Sequence, residues 1–280
     1  MLALVEIEVL RRDLEKEVAG RRIKEVEIRP GSNAMKILRR HGRRKELQDL
    51  LVGAKVEKVT RIGRRLFLDL DNDRVLVIDL DQSGRLAKTS ASDEVATHTH
   101  IVIAFTIGGQ LRVVDPKKTS EIYVVEKKDL DEAGERDFLI DPLEHQFTWQ
   151  YFSTLLEERE ATMKTLLSDE KFICGLGPIY SDEVLFVSAL RYDRMSNKLS
   201  SQDVRRLYRA LMETLQDALK AGGTTWGEQD FRDLHGNPGQ YQLELKVYER
   251  EGEACRRCRT PIVKEKYEGS LTYFCPQCQS

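Results

Sequence analysis

The sequence predicts an α+β protein: a leading helix and a two-sheet antiparallel β-sandwich, then a helical domain closed by a C-terminal four-cysteine finger. Three observations carry this. Apolar residues recur at helical spacing over residues 4–19, short β-rich runs separated by turn residues fill 23–114, and two Cys-x-x-C pairs end the chain.

In the first segment Ile7, Leu10, Leu14 and Val18 share one helical face, and Gly20 follows as a stop. Glu6 and Glu8 fall in its first turns, where the helix dipole favours negative charge. Strands are expected at 23–28, 56–60, 66–70, 75–80, 101–107 and 111–114, with Gly53, Asp71-Asn72-Asp73, Gly84 and Gly108-Gly109 as their turns. The basic stretch from Asn33 to Lys45 reads as a loop with a helical turn. The strand signal stops at Leu139-Ile140-Asp141-Pro142-Leu143. That places an N-terminal domain at 1–140, a hinge at 141–150, a helical domain at 151–240 and the finger at 241–280. Helices are expected at 148–158, 161–168, 180–190 and 200–221, the last opening on a Ser200/Ser201 cap and ending at Gly222-Gly223. Between two of them, Gly175 and Gly177 let the backbone turn sharply and approach a ligand, and the next helix start suits a phosphate. A tight helix-turn-helix corner that needs small residues for packing explains the same glycines.

Cys255, Cys258, Cys275 and Cys278 supply four thiolates, with sixteen residues between the pairs, which is the donor set of one tetrahedral Zn²⁺. Four protein ligands leave no open position, so the metal is expected to be structural. A pair of disulfides is the alternative, disfavoured because nothing else in the chain looks secreted. The stretches Thr260-Pro261-Ile262-Val263 and Leu271-Thr272-Tyr273-Phe274 read as the finger's two strands.

The chain has 280 residues, 40% of them hydrophobic and 33% charged, with a net charge of -2 and no apolar run of the ~20 residues a bilayer needs. The expectation is a cytoplasmic protein, at the nucleoid if it binds DNA. With a sequence pI ≈ 6.3 a nucleic-acid surface has to be local, and clusters such as Arg64-Arg65 and Lys117-Lys118 supply candidates.

Together the segments resemble the formamidopyrimidine-DNA glycosylase and endonuclease VIII family nearly end to end. The echoes are Gly63 in RIGRRLFLDL, DQSGRL at 81–86, VVDPKK at 113–118, DPL at 141–143, GLGPIYSDEVLF at 175–186, LKVYER at 245–250 and the finger. The resemblance implies a helix-two-turn-helix in the helical domain, a structural zinc and a monomer that grips damaged duplex DNA, flips out an oxidised base and cuts first the glycosidic bond and then the backbone. In that family an N-terminal proline amine attacks the sugar C1′, an adjacent glutamate serves as acid and base, and a β-turn lysine assists.

Those positions depart here. Leu2 and Ala3 stand for the proline and glutamate, so a large residue at position 2 is expected to keep Met1 in place. Arg64 stands for the lysine, keeping its charge but not its ability to pass a proton near neutrality. Gln82 replaces the methionine that fills the gap left by the flipped base; Lys117 and Thr119 replace the rest of that wedge; Pro178 and Ser270 replace the phosphate clamp. The resemblance leaves Arg64, Arg65, Gln82, His98, Lys117, Lys118, Lys164 and Gly177 as nucleic-acid contacts. The leading expectation is therefore a zinc protein with a degenerate excision site that binds damaged or deformed DNA, or structured RNA, without cutting it. The alternatives are an active glycosylase and abasic-site lyase that uses a substitute amine, either Met1's or a lysine's, and a protein-interaction scaffold.

Overall fold

The computed structural model describes residues 2–29, 33–130, 136–227 and 230–280. They form two compact units, one of Met1–Arg136 with Gly222–Gly239, the other of Asp137–Ala221 with Gln240–Ser280.

The first unit opens with α1 (Leu4–Val18), which buries Leu4, Ile7, Leu10, Leu14 and Val18 on the face the sequence predicts. Gly20 ends it at φ +82°, and its N–H reaches the carbonyl of Val56 at 2.8 Å. Two four-stranded antiparallel sheets follow. One has the order β1 (Ile23–Ile28), β6 (Thr99–Phe105), β7 (Gln110–Val114), β5 (Arg85–Thr89). The other runs β2 (Val56–Ile62), β3 (Arg65–Leu70), β4 (Arg74–Asp79), β8 (Glu121–Glu126). Strands β3, β4 and β6 bury consecutive residues, so both their faces are covered; α1 lies against β2 and β3.

Three elements go beyond the sequence reading. β5 carries Leu86 as its one buried residue and exists because β7 offers it a backbone ladder. β8 has an apolar run, Ile122 to Val125, as clear as any other in the chain. The basic stretch after Asn33 is followed by a second helix, α2 (Arg44–Leu51), anchored by buried Leu47 and Leu51.

The second unit holds α3 (Trp149–Glu157), α4 (Met163–Ser168), α5 (Gly177–Val187) and α6 (Ser201–Lys220). Ser200 and Asp203 close a reciprocal capping box on α6, whose buried face is Val204, Leu207, Leu211 and Leu215. The finger is a hairpin, β9 (Val263–Tyr267) and β10 (Ser270–Phe274). Its turn, Glu268-Gly269, has both φ values positive, +44° and +84°, as a tight two-residue hairpin turn demands. That turn sets the register and moves the first strand a few residues beyond the expected 260–263.

The units also divide the chain differently from the expected boundaries. Leu139 and Ile140 donate their N–H groups to Lys171 and Phe172, and Asp141 is buried, so the expected hinge begins as part of the helical unit. The finger belongs to that same unit, and 222–239 returns to the first. Truncating Leu211 to Ala is expected to cost about 2–5 kcal/mol of unfolding free energy in denaturant melts, whereas Arg209→Ala on the open face of α6 changes it by less than about 0.5 kcal/mol.

Candidate functional site

At the start of α1, Leu2 is 4% exposed and Ala3 is the N-cap residue, without a side chain that can cap. Glu6 and Glu8 are both buried. Glu6 accepts the N–H of Thr224 at 2.8 Å, which ties the segment after α6 to the beginning of the chain. Glu8 accepts from Arg11, Arg12 and Arg61 at 2.8–3.0 Å. Burial pushes its carboxyl up, but the hydrogen bonds from Arg11 and Arg12 and the charges of Arg11 and Arg61 outweigh that and hold it below the usual carboxylate range. Arg61 also donates to the carbonyl of Gly63, at φ +55° in the β2–β3 turn, and so braces the turn that presents Arg64. Arg64 is half-buried and lines a cavity of about 340 Å³ with Arg39, Asp79, Asp81, Thr119 and Glu121. Burial raises the Asp79 carboxyl against the opposing charges of Arg64 and Arg65.

Gln82, Lys117 and Thr119 come from two loops, and one fully buried carboxylate lashes those loops together. Asp115 accepts the Ser83 hydroxyl on one oxygen and the Ser120 N–H, at 2.9 Å, on the other. Burial pushes the Asp115 carboxyl up, yet these donors prevail and keep it low. The Lys117 N–H reaches the Ser83 hydroxyl at 3.3 Å. Gly84 has no room for a side chain, because a Cβ would collide with the Ser120 hydroxyl. Lys117 is exposed, Lys118 and Gln82 are half-buried. His98 is exposed at φ +64°, and its carbonyl accepts the Asp115 N–H. His100 is buried against the Asp115 carbonyl at 2.8 Å, a structural position. Asp115 is the organiser that sequence reasoning passed over, although it stands inside the VVDPKK echo.

In the second unit Gly175 and Gly177, at φ +61° and +67°, shape the loop into α5, with Pro178 exposed in its first turn. The expectation that Lys164 faces nucleic acid does not hold. It is 1% exposed, and its ammonium sits 2.6 Å from Asp182 and 2.8 Å from the Ser181 hydroxyl. The reason is that Asp182 is wholly buried and needs a counter-charge. Asp182 also accepts the Thr272 hydroxyl and the Tyr273 N–H, and neighbouring Glu183 accepts the N–H groups of Lys246, Val247 and Tyr248. Consecutive carboxylates of α5 thus hold the finger and the LKVYER loop. Ser270 is exposed at the start of β10.

The four cysteines are free thiols whose sulfur atoms all lie within 4.8 Å of one another, with Cys255 and Cys278 3.9 Å apart and Cys258 and Cys275 3.4 Å. A tetrahedron with Zn–S bonds of ~2.3 Å has edges of ~3.8 Å, so the cluster fits one zinc ion. The hydroxyl and N–H of Thr260 draw the Cys258 thiol down to about 6, whereas burial pushes the Cys275 and Cys278 thiols up, so it is the sulfur geometry that fits the metal. The Arg257 guanidinium donates to the Phe186 carbonyl at 2.8 Å and lies over the Phe186 ring, docking the finger on the end of α5.

Antiparallel sheets behind a leading helix, a glycine-shaped turn between α4 and α5 and a four-cysteine cluster define a zinc-finger protein of the helix-two-turn-helix class. The model described as the formamidopyrimidine-DNA glycosylase N-terminal domain matches residues 1–122, that of its H2TH domain 139–230, and the zinc finger found in FPG and IleRS 252–280. The chain belongs to the formamidopyrimidine-DNA glycosylase family.

A formamidopyrimidine-DNA glycosylase of Pelotomaculum thermopropionicum is 35% identical over 280 residues, covering 100% of this chain and 99% of its own. One from Listeria monocytogenes is 33% identical with 100% of both chains covered. Among solved structures, the Lactococcus lactis Fpg in complex with DNA containing an abasic site superposes with a TM-score of 0.86 at 28% identity, over 99% of both chains. MutM (FPG) of Thermus thermophilus does so with 0.82 at 31%, over 99% of this chain and 98% of its own. Full-length similarity to glycosylases, one of them seen on lesion DNA, overturns the expectation of a binder stripped of its excision chemistry. Leu2 and Ala3 are replacements within a family of enzymes.

Two outcomes follow. Because the folded-state pKa of Glu8 is depressed, its stabilisation is complete above the unfolded value near ~4.5 and drains away as pH falls through the lower folded value. Glu8→Gln is expected to cost about 2 kcal/mol at neutral pH and to flatten the acid limb of a stability-versus-pH curve. Cys275→Ser is expected to lower bound zinc, measured by elemental analysis, from one per chain toward none, with amide-exchange protection lost first over 252–280.

Proposed function

We propose that the protein is a DNA glycosylase and abasic-site lyase that acts on damaged duplex DNA through an amine other than a proline's. The observation that carries this reading is the full-length similarity at about one third identity to glycosylases, beginning at the first residue of the matched N-terminal domain. The first proline in the sequence is Pro30, so a proline at the start of α1 is not the nucleophile. The candidates are the α-amine at the start of the chain and a lysine, among them Lys117, which is exposed on a loop held by Asp115. Either amine attacks C1′, the base departs with its bonding electrons and takes one of the amine's two protons, and the C1′–O4′ bond then opens, its oxygen taking the other proton, which leaves the Schiff base. Elimination then breaks the bond from the sugar to its 3′ phosphate. Arg64 supplies positive charge for the phosphates, and the start of α5 at Gly177 suits a further one, the Gly175 N–H being already taken by the Glu170 carboxylate at 3.0 Å.

Borohydride reduction on a duplex with one abasic site is expected to leave a covalent protein–DNA adduct, and peptide mapping then names the amine. An α-amine gives a rate that levels off above pH ~8, whereas a lysine gives one still climbing toward pH ~10. No adduct and no strand cleavage, from a preparation with its full zinc content that binds the same duplex, would sink the proposal.

A further inference from the structure

The helical unit carries a second cavity, of about 510 Å³, lined by Trp149, Arg205, Tyr208 and Arg209. We propose that it is the docking site of a protein partner, which inserts an apolar side chain flanked by carboxylates.

The floor of the cavity is rigid. The Tyr208 hydroxyl donates to the Phe147 carbonyl at 3.0 Å, its ring lies 5.2 Å from the Phe147 ring, and Phe147 meets buried Phe152 edge-on at 5.4 Å. Trp149 opens α3, whose direction is set by the Thr148 side chain accepting the Tyr151 N–H. Helical spacing puts Arg205, Tyr208 and Arg209 on one face of α6, away from the buried face of Leu207 and Leu211. An aromatic wall held this firmly gives up little conformational freedom on binding.

The charges identify the guest. Among the described residues neither Arg205 nor Arg209 takes part in an ion pair, while Arg206 between them is held by Asp203 at 2.7 Å. Arg205 lies 4.4 Å over the Trp149 ring, which holds its guanidinium beside the indole in the lining of the cavity. Two unneutralised guanidinium forks beside bare ring surface complement carboxylates next to an apolar side chain. A nucleic-acid strand fits less well. Among the described residues no lysine and no third arginine lines the cavity to continue a phosphate track, and Arg205 already covers a face of Trp149 on which a base would stack.

The chain has two tryptophans, so Trp226→Phe leaves Trp149 as the sole indole reporter. The probe is a short synthetic peptide with one phenylalanine flanked by aspartates. Controls replace the phenylalanine by serine or the aspartates by lysines, and a single-stranded oligonucleotide is a fourth arm. Saturable change of Trp149 emission with the first peptide alone is expected. Arg209→Ala is expected to weaken it roughly tenfold or more, and joint Arg205→Glu and Arg209→Glu to transfer binding to the lysine peptide. No saturable change with the aspartate peptide, equal binding of the serine control, or tighter binding of the oligonucleotide at Trp149 overturns the proposal, and none of these arms depends on an arginine variant folding.

Discussion

A carboxylate removed from water has to be met by donors, and this chain uses that requirement to join segments far apart in sequence. Glu6 is met by Thr224, Asp115 by Ser83 and Ser120, Asp182 by Lys164 and the finger strand, Glu183 by the backbone at 246–248. Each removal would strand a buried charge, which costs more than an ordinary lost contact. The same bonds determine where the exposed residues of the candidate site are presented.

This separates residues that hold from residues that touch. Asp115, Gly84 and Ser120 fit one another closely, a Cβ at Gly84 meeting the Ser120 hydroxyl, while half-buried Gln82 and exposed Lys117 and Thr119, carried on the loops they fix, differ from the family pattern. Glu8 and Arg61 likewise brace the turn at Gly63, whatever cation follows at position 64. That division is the reason that exchanges at the touching positions pointed to a lost activity, an expectation that the full-length similarity to glycosylases overturns.

The large features were legible in the residues. The apolar stripe of α1, the short β-rich runs of most strands, the serine cap of α6 and the Cys-x-x-C pairs each express a local rule whose whole argument lies within a few positions. Other features were not. β5 depends on a partner strand, the register of the finger depends on a positive-φ turn at Glu268-Gly269, and the attachment of 139–140 to the helical unit depends on backbone bonds to 171–172. Lys164 was misplaced because a lysine between Met163 and Thr165 looks alike in sequence whether it reaches solvent or a buried Asp182.

By itself, then, the sequence determined the α+β class, the order of the elements, the zinc ligands and the family, because these rest on spacing along one chain. The tertiary structure alone decided which charges are buried, which loops Asp115 binds together and which arginines of α6 stay unneutralised. Those depend on pairings between residues distant in sequence, and no local pattern encodes the distance between them.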